Sequence, residues 1–225
     1  SRADVAISYR RDEASARETA SAIEQLGRHA GAYQASVDAP ADDERLVAAV
    51  LDDFGGVDIL VNNAGSASRG QTVADTDPAE IDRLWRTHAL GPMVLSKLVL
   101  PSMRARPRGD IVMISSIATD MMAANSSPYN MAKAAMEALA HTLAKEERAH
   151  GIHVNVVAPG LVDTEMGRRL AKAVTGADDI HALDPTSPFG RVCSPEDVAA
   201  MVTFLVSDRG AYLTDQRLTV DGGTF

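Results

Sequence analysis

Tyr129 and Lys133 stand four residues apart in a stretch whose pattern predicts a helix over residues 129–149. At that spacing both side chains lie on one helical face, a turn apart. A phenol is a poor acid or base near neutrality, with a reference pKa of about 10. An ammonium held beside it favours the phenolate and lowers that value. The pair can therefore deliver or remove a proton at a carbonyl or alcohol oxygen. Ser116 follows a predicted strand over residues 111–115 and can hydrogen-bond the same oxygen.

The elements that must position these residues alternate β-branched runs with longer helical periods, which predicts a parallel sheet covered on both faces. Strands are expected over residues 4–8, 32–37, 58–62, 111–115, 153–158 and 217–220. Helices are expected over residues 12–27, 42–54, 129–149, 165–174 and 194–206. Another opens at Asp77-Pro78-Ala79-Glu80, with Asp as N-cap and Pro at the first helical position, and runs towards Met103 with a break near Gly91-Pro92. No repeat or linker interrupts the 225 residues, so the expected fold is one α/β domain large enough for a substantial core.

Composition narrows the function. The formal net charge is −9 with no basic block, which argues against nucleic-acid binding and attachment to anionic membranes. The single cysteine, Cys193, excludes an intrachain disulfide framework and reads as a small apolar residue in preference to a reactive thiol. No apolar run approaches the ~18 residues of a membrane span and no signal peptide is visible, so a cytoplasmic protein is expected.

Asn62-Asn63-Ala64-Gly65 after one strand, Ser116, Tyr129, Lys133, and Pro159-Gly160 after another strand form a combination that resembles the short-chain dehydrogenase/reductase family. The likeness runs from Ala3 to Gly223 and looks nearest to the branch of 3-oxoacyl-carrier-protein reductases and glucose-dehydrogenase-like members. It implies a Rossmann-type doubly wound parallel sheet binding a nicotinamide dinucleotide at its carboxyl edge. By this resemblance Tyr129 is the general acid/base, Lys133 lowers its pKa and holds the nicotinamide ribose, and Ser116 positions the substrate oxygen. Asn63, Ala64 and Gly65 would line the cofactor cleft. Pro159, Gly160, Val162 and Thr164 would lie against the nicotinamide. The implied reaction is hydride transfer between NAD(P)H and a ketone or secondary alcohol. Family members that prefer NAD carry an acidic residue just past the second strand of the family fold, whereas Tyr9-Arg10-Arg11 stands here. A guanidinium at Arg10 suits a 2′-phosphate, so NADP(H) is favoured over NAD(H). The likeness also implies a homo-oligomer, a tetramer or dimer, built through the two long helices and the last strand.

The chain departs from the family in three places. The family opens with a strand and a glycine-rich phosphate loop, and no such motif precedes Ser1. The expectation is that about thirty residues of the natural protein, one strand–loop–helix unit, lie outside this sequence. A fold lacking that strand would leave two sheet edges unpaired and lose the pyrophosphate site. His88 stands where the family has an asparagine; its imidazole can donate and accept, and so either serves a similar proton relay or fills space. Ser36 replaces an aspartate expected near the adenine, with Val37 still in register. A second class of function follows from these departures, a non-catalytic binding or assembly subunit of the same fold.

Other features carry blander readings. His29, His141, His150, His153 and His181 lack ligand spacing, so no metal site is expected. Met121, Met122 and Met131 line an apolar substrate pocket or fill core. Residues 165–190 match the family's substrate lid, and Leu170, Ile180, Leu183 and Phe189 there suggest a moderately apolar substrate. Glu146, Glu147 and Arg148 read as a solvated helix end.

Overall fold

The computed structural model describes residues 3–224. Strand β1 (Val5–Tyr9) leads into α1 (Glu13–Gln25), whose first turn is capped by the Asp12 carboxylate accepting from the Ser15 amide. Strand β2 (Ala30–Gln34) precedes α2 (Pro40–Phe54), which starts on proline and stops at Gly55 with φ 70°. Next come β3 (Ile59–Asn62) and α3 (Pro78–Trp85), capped by Asp77 as its sequence predicts. A single π-helical turn (Arg86–Leu90) joins α3 to α4 (Gly91–Arg104). Strand β4 (Gly109–Ile114), the short α5 (Ala118–Met121) and the long α6 (Ser127–Glu147) follow. Strand β5 (Ile152–Pro159), α7 (Glu165–Thr175), α8 (Pro195–Leu205) with a Ser194/Asp197 capping box, and β6 (Arg217–Val220) complete the chain.

All strand pairings are parallel, in two sheets. One holds β1 and β2; the other has the order β3-β4-β5-β6. Side-chain alternation along β4 and β5 sends residues to opposite faces. Ile111, Met113, Val154 and Val156 pack with Val47 of α2, Val99 and Met103 of α4, and Met136 and Leu143 of α6. Val112 and Val157 point the other way, onto Leu205 and its α8 neighbours Met201 and Val202. The second sheet is therefore covered by helices on both faces, the doubly wound arrangement expected. The two-stranded sheet is joined to it through α2, whose Val47 enters the same core as α4.

Several boundaries differ from expectation for definable reasons. The break predicted near Gly91-Pro92 is the π turn Arg86–Leu90, after which the helix continues. Such a turn inserts one residue into the hydrogen-bond ladder and turns side chains otherwise facing away. Here it buries Thr87, His88 and Ala89. Helix α6 begins at Ser127, before Tyr129, because Pro128 fits the first turn where no amide partner is needed. Strand β2 ends at Gln34, opposite the end of β1 at Tyr9, and does not reach Ser36 and Val37. The Ser36 amide instead donates to Asp42 Oδ2 at 3.1 Å, drawing the chain towards α2. Glu147, expected on a solvated helix end, is buried and paired with Arg104, whose Nε lies 2.9 Å from Oε2. Its carboxyl is held below the usual range by that guanidinium.

Candidate active site

Parallel pairing brings the carboxyl ends of β3, β4 and β5 to one edge, the edge where open α/β sheets present their ligand crevice. Ser115 and Ser116 follow β4, Asn63-Ala64-Gly65 follows β3, and Pro159 ends β5 with Gly160 after it. Two backbone bonds tie these ends together: the Ser115 amide donates to Val157 O at 2.7 Å and the Ile117 amide to Pro159 O at 3.0 Å.

Helix α6 presents Tyr129 and Lys133 to the same edge. The Lys133 Nζ donates to the Ile114 carbonyl at 2.6 Å and lies 5.8 Å from the Tyr129 ring centre. Lys133 is 3% exposed, and burial pulls its ammonium down to about 7, with the Glu137 carboxylate acting in the other direction. The Ser116 side chain is near enough to the Tyr129 phenol to lower its pKa, but burial outweighs this and raises it. This corrects the expectation that Lys133 depresses the phenol: in the protein alone the ammonium is directed at the strand-end carbonyl, and desolvation decides the phenol's direction.

The π turn brings His88 against the tyrosine, ring centres 5.3 Å apart and nearly perpendicular. Its Nε2 lies 2.9 Å from Ser66 O and 3.3 Å from Ser66 N. Nδ1 is buried with no hydrogen-bond partner among the described residues. Burial, together with the Lys133 ammonium, lowers its pKa to about 3, so the ring is neutral at pH 7. Gly65 admits this ring: a Cβ there would lie 3.0 Å from His88 Cε1. His88 therefore sits beside Tyr129 and Lys133 and is more than a surface residue.

The remaining expected residues are arranged as follows. Asn63, Ala64 and Gly65 are exposed at the sheet edge. Pro159 is buried, the Gly160 amide donates to Val220 O at 3.0 Å, and Val162 bridges to Cys193. Thr164 caps α7, accepting from the Gly167 amide at 3.1 Å. Arg10 is exposed just past β1. The Ser36 hydroxyl donates to Asp38 Oδ1 at 2.6 Å and keeps its lone pairs free to accept. These positions suit a dinucleotide at both ends: an exposed small-residue turn for close backbone approach, a buried amine for a ribose, and a guanidinium and hydroxyl beyond the first strand.

In the lid segment, Ile180 packs with Ala171, Val192 and Leu183 in a small core of its own, so Ile180 and Leu183 do not face a substrate as expected. Leu170 and Phe189 are exposed, Phe189 by 88%. Met121, Met122 and Met131 are exposed too, which removes the core-filler reading. Met122 and Met131 line an open apolar pocket of about 440 Å3 with Val73, Asn125 and Ala134. Cys193 is half-buried, its thiol pushed up to about 11 by burial and Asp197. No cluster able to hold a metal occurs among the described residues.

Sequence reasoning missed Glu137. Its carboxylate accepts from the Ser115 hydroxyl and, at 2.9 Å, from Thr119 Oγ1, directly beneath Ser116. The signal was present: residues 129, 133 and 137 repeat at the four-residue spacing of one helical face.

A family model described as enoyl-(acyl carrier protein) reductase matches residues 1–224. The human protein dehydrogenase/reductase SDR family member 4 is 36% identical over 183 residues, covering 81% of this chain and 65% of that protein, so the chain spans less than two thirds of that relative's length. The 3-oxoacyl-(acyl-carrier-protein) reductase of Escherichia coli is 34% identical over 201 residues, 89% of this chain and 80% of that one. The crystal structure of L-sorbose reductase from Gluconobacter frateurii, in complex with NADPH and L-sorbose, superposes with a TM-score of 0.90 at 30% identity, covering 99% of this chain and 87% of that one.

Proposed function

Because the chain belongs to the short-chain dehydrogenase/reductase family, we propose that it is an NADP(H)-dependent oxidoreductase that interconverts a ketone and a secondary alcohol. The observation that carries this reading is the convergence of Ser116, Tyr129 and Lys133 at the carboxyl edge of the sheet, with Ser116 near enough to the Tyr129 phenol to lower its pKa and Lys133 tethered to the Ile114 carbonyl.

When bound, NADP(H) supplies or accepts the hydride. On reduction, Tyr129 gives its phenolic proton to the substrate oxygen, and on oxidation it takes a proton back. The Ser116 hydroxyl hydrogen-bonds the same oxygen and holds it against the phenol. Lys133 would hold the nicotinamide ribose through its buried amine. His88, whose buried Nδ1 has no hydrogen-bond partner among the described residues, relays protons on the lysine's side of the tyrosine. Asn63, Ala64, Gly65, Pro159, Gly160, Val162 and Thr164 hold the nicotinamide half. Arg10, Ser36 and Val37 hold the adenosine half, Arg10 through the 2′-phosphate.

NADPH complexes of structural relatives, such as L-sorbose reductase, support the cofactor assignment. We place the protein in the cytoplasm as a homo-oligomer; no helix among the described residues is long and apolar enough to cross a membrane. Exposed apolar side chains on the long helices, Ile81, Trp85, Met93 and Met131, support association.

The test is turnover of a panel of ketones with NADPH and with NADH, followed by absorbance of the reduced nicotinamide, alongside a thermal-shift titration. NADPH at a hundredfold its Kd is expected to stabilise the fold by about 2.7 kcal/mol, and Arg10→Glu to reduce that shift. Tyr129→Phe is expected to lower kcat at least ~100-fold while leaving the NADPH shift in place. Full turnover in Tyr129→Phe would exclude the mechanism.

A further inference from the structure

We propose that Glu137 and Arg217 are positioning residues: with Thr119 they clamp the backbone of Ser116 from two sides and so aim its hydroxyl at Tyr129. This inference rests on the reading of Ser116 and Tyr129 as the pair that handles the substrate oxygen.

Glu137 reaches the Ser116 turn from α6, and Arg217 reaches it from the first position of β6, eighty residues further along the chain. Their side chains meet, Arg217 Nε lying 3.1 Å from Glu137 Oε1. The same carboxylate oxygen accepts from the hydroxyls of Ser115 and Thr119. The Arg217 Nη2 donates at 2.9 Å to Thr119 Oγ1, at 3.4 Å to the Ser116 carbonyl and at 2.6 Å to Asp120 Oδ2. Thr119 Oγ1 also lies 2.9 Å from the Ser116 carbonyl. The segment of residues 115–120 is thus gripped at three side chains and one carbonyl by an ion pair that is largely buried, with 20% and 14% of the side chains exposed. Charge-assisted bonds of this kind are short and directional, and in a partly dry site they hold geometry that water would otherwise loosen. The Glu137 carboxylate also acts on the Lys133 ammonium one turn away, whereas every side-chain hydrogen bond of Arg217 and Thr119 is made to the Ser116 turn, to Glu137 or within β6.

Lys133 and His88 face Tyr129, and the charged groups at the Ser116 turn are Glu137 on α6, Asp120 on α5 and Arg217 on β6. A test must therefore separate geometry from charge. Thr119→Val removes the bridging hydroxyl without altering charge, and the double variant Glu137→Gln/Arg217→Met keeps the net charge constant. The Tyr129 titration is followed by NMR of ring-labelled tyrosine, its signal assigned by loss in Tyr129→Phe. Because Ser116 lowers the phenol's pKa, a Ser116 hydroxyl no longer aimed at Tyr129 lets its midpoint rise, and a rise is expected in both variants. In a protein that turns over ketones, kcat falls roughly tenfold with KM for NADPH unchanged, and Arg217→Lys restores part of it. An unchanged Tyr129 midpoint in either variant overturns the clamp. If the double variant fails to fold, Thr119→Val decides alone. A parent protein that reduces no ketone counts against the oxidoreductase reading, while the Tyr129 midpoints still decide the clamp.

Discussion

The Nζ of Lys133 donates to the carbonyl oxygen of Ile114, 2.6 Å away at the last position of β4. A buried amine is thereby tethered to the strand end that carries Ser116. Its ammonium titrates at about 7 in the folded chain against 10.5 for a free lysine, burial being the larger cause. Between those values the unfolded chain binds a proton that the folded chain does not. Stability therefore rises with pH across the window from about 7 to 10.5. Lys133→Met is expected to lose that rise, seen as the difference between parent and variant in urea denaturation at successive pH values. The same variant should lower kcat about 100-fold or more. A parent and variant with parallel stability curves would show that the lysine stays charged in the folded chain.

His88 contributes with the same sign in a lower window. Its ring is 1% exposed and titrates at about 3, against 6.5 for a free imidazole, because burial and the Lys133 charge oppose protonation. As pH falls from 6.5 towards 3, the unfolded chain takes up a proton that folded His88 refuses. Parent stability is then lost with a slope approaching about 1.4 kcal/mol per pH unit relative to His88→Asn. Acid denaturation of the two proteins side by side measures it. Equal acid midpoints would mean the imidazole accepts a proton without unfolding.

Gly91 opens α4 with its Cα against the Val37 carbonyl, and a Cβ built there would lie 2.2 Å from that oxygen. Helix propensity alone predicts that Gly91→Ala stabilises by about 1 kcal/mol. The clash is with backbone, which cannot swing aside, so overpacking of roughly 1–3 kcal/mol decides the sign. Gly91→Ala is therefore expected to lower the urea midpoint.

Which of these features the sequence disclosed follows from how local their causes are. The strands β4 and β5 were legible because consecutive β-branched and aliphatic residues bury on both faces, β3 as an apolar run although its Ile59 and Val61 remain exposed, and the helix starts at Asp77 and Ser194 because capping is read within four residues. Tyr129 and Lys133 were legible as one helical face. The π turn was visible only as a break near Gly91-Pro92, since the burial of Thr87, His88 and Ala89 that accompanies it depends on packing across the chain. Arg217 carried no local signal, as its partners lie on α6 and in the turn after β4. The depressed phenol expected from the Tyr–Lys spacing failed because spacing says nothing of burial, and burial sets the direction here.

Asp43 is the clearest case of burial overriding local expectation. In the first turn of α2 an acidic residue should face solvent and favour the helix N-terminus. Instead Asp43 is 0% exposed, and neither carboxylate oxygen has a hydrogen-bond partner among the described residues. Burial, with Asp42 and Asp38 nearby, pushes its pKa up to about 7 from 3.8. The folded chain thus holds a proton between those values that the unfolded chain releases, and stability falls as pH rises from 3.8 to about 7. Above that window the full cost of the buried carboxylate is present. Replacing it with a hydrocarbon of similar size removes both the charge and the unsatisfied oxygens. Asp43→Val is therefore expected to be more stable than the parent by roughly 1–3 kcal/mol at pH 8, with the gain shrinking as pH falls from about 7 to 3.8, below which the parent carboxyl is neutral in both states. Thermal denaturation at pH 8 and pH 4 measures the difference. A variant less stable than the parent at pH 8 would show that Asp43 holds a partner through water and that its charge contributes to the fold.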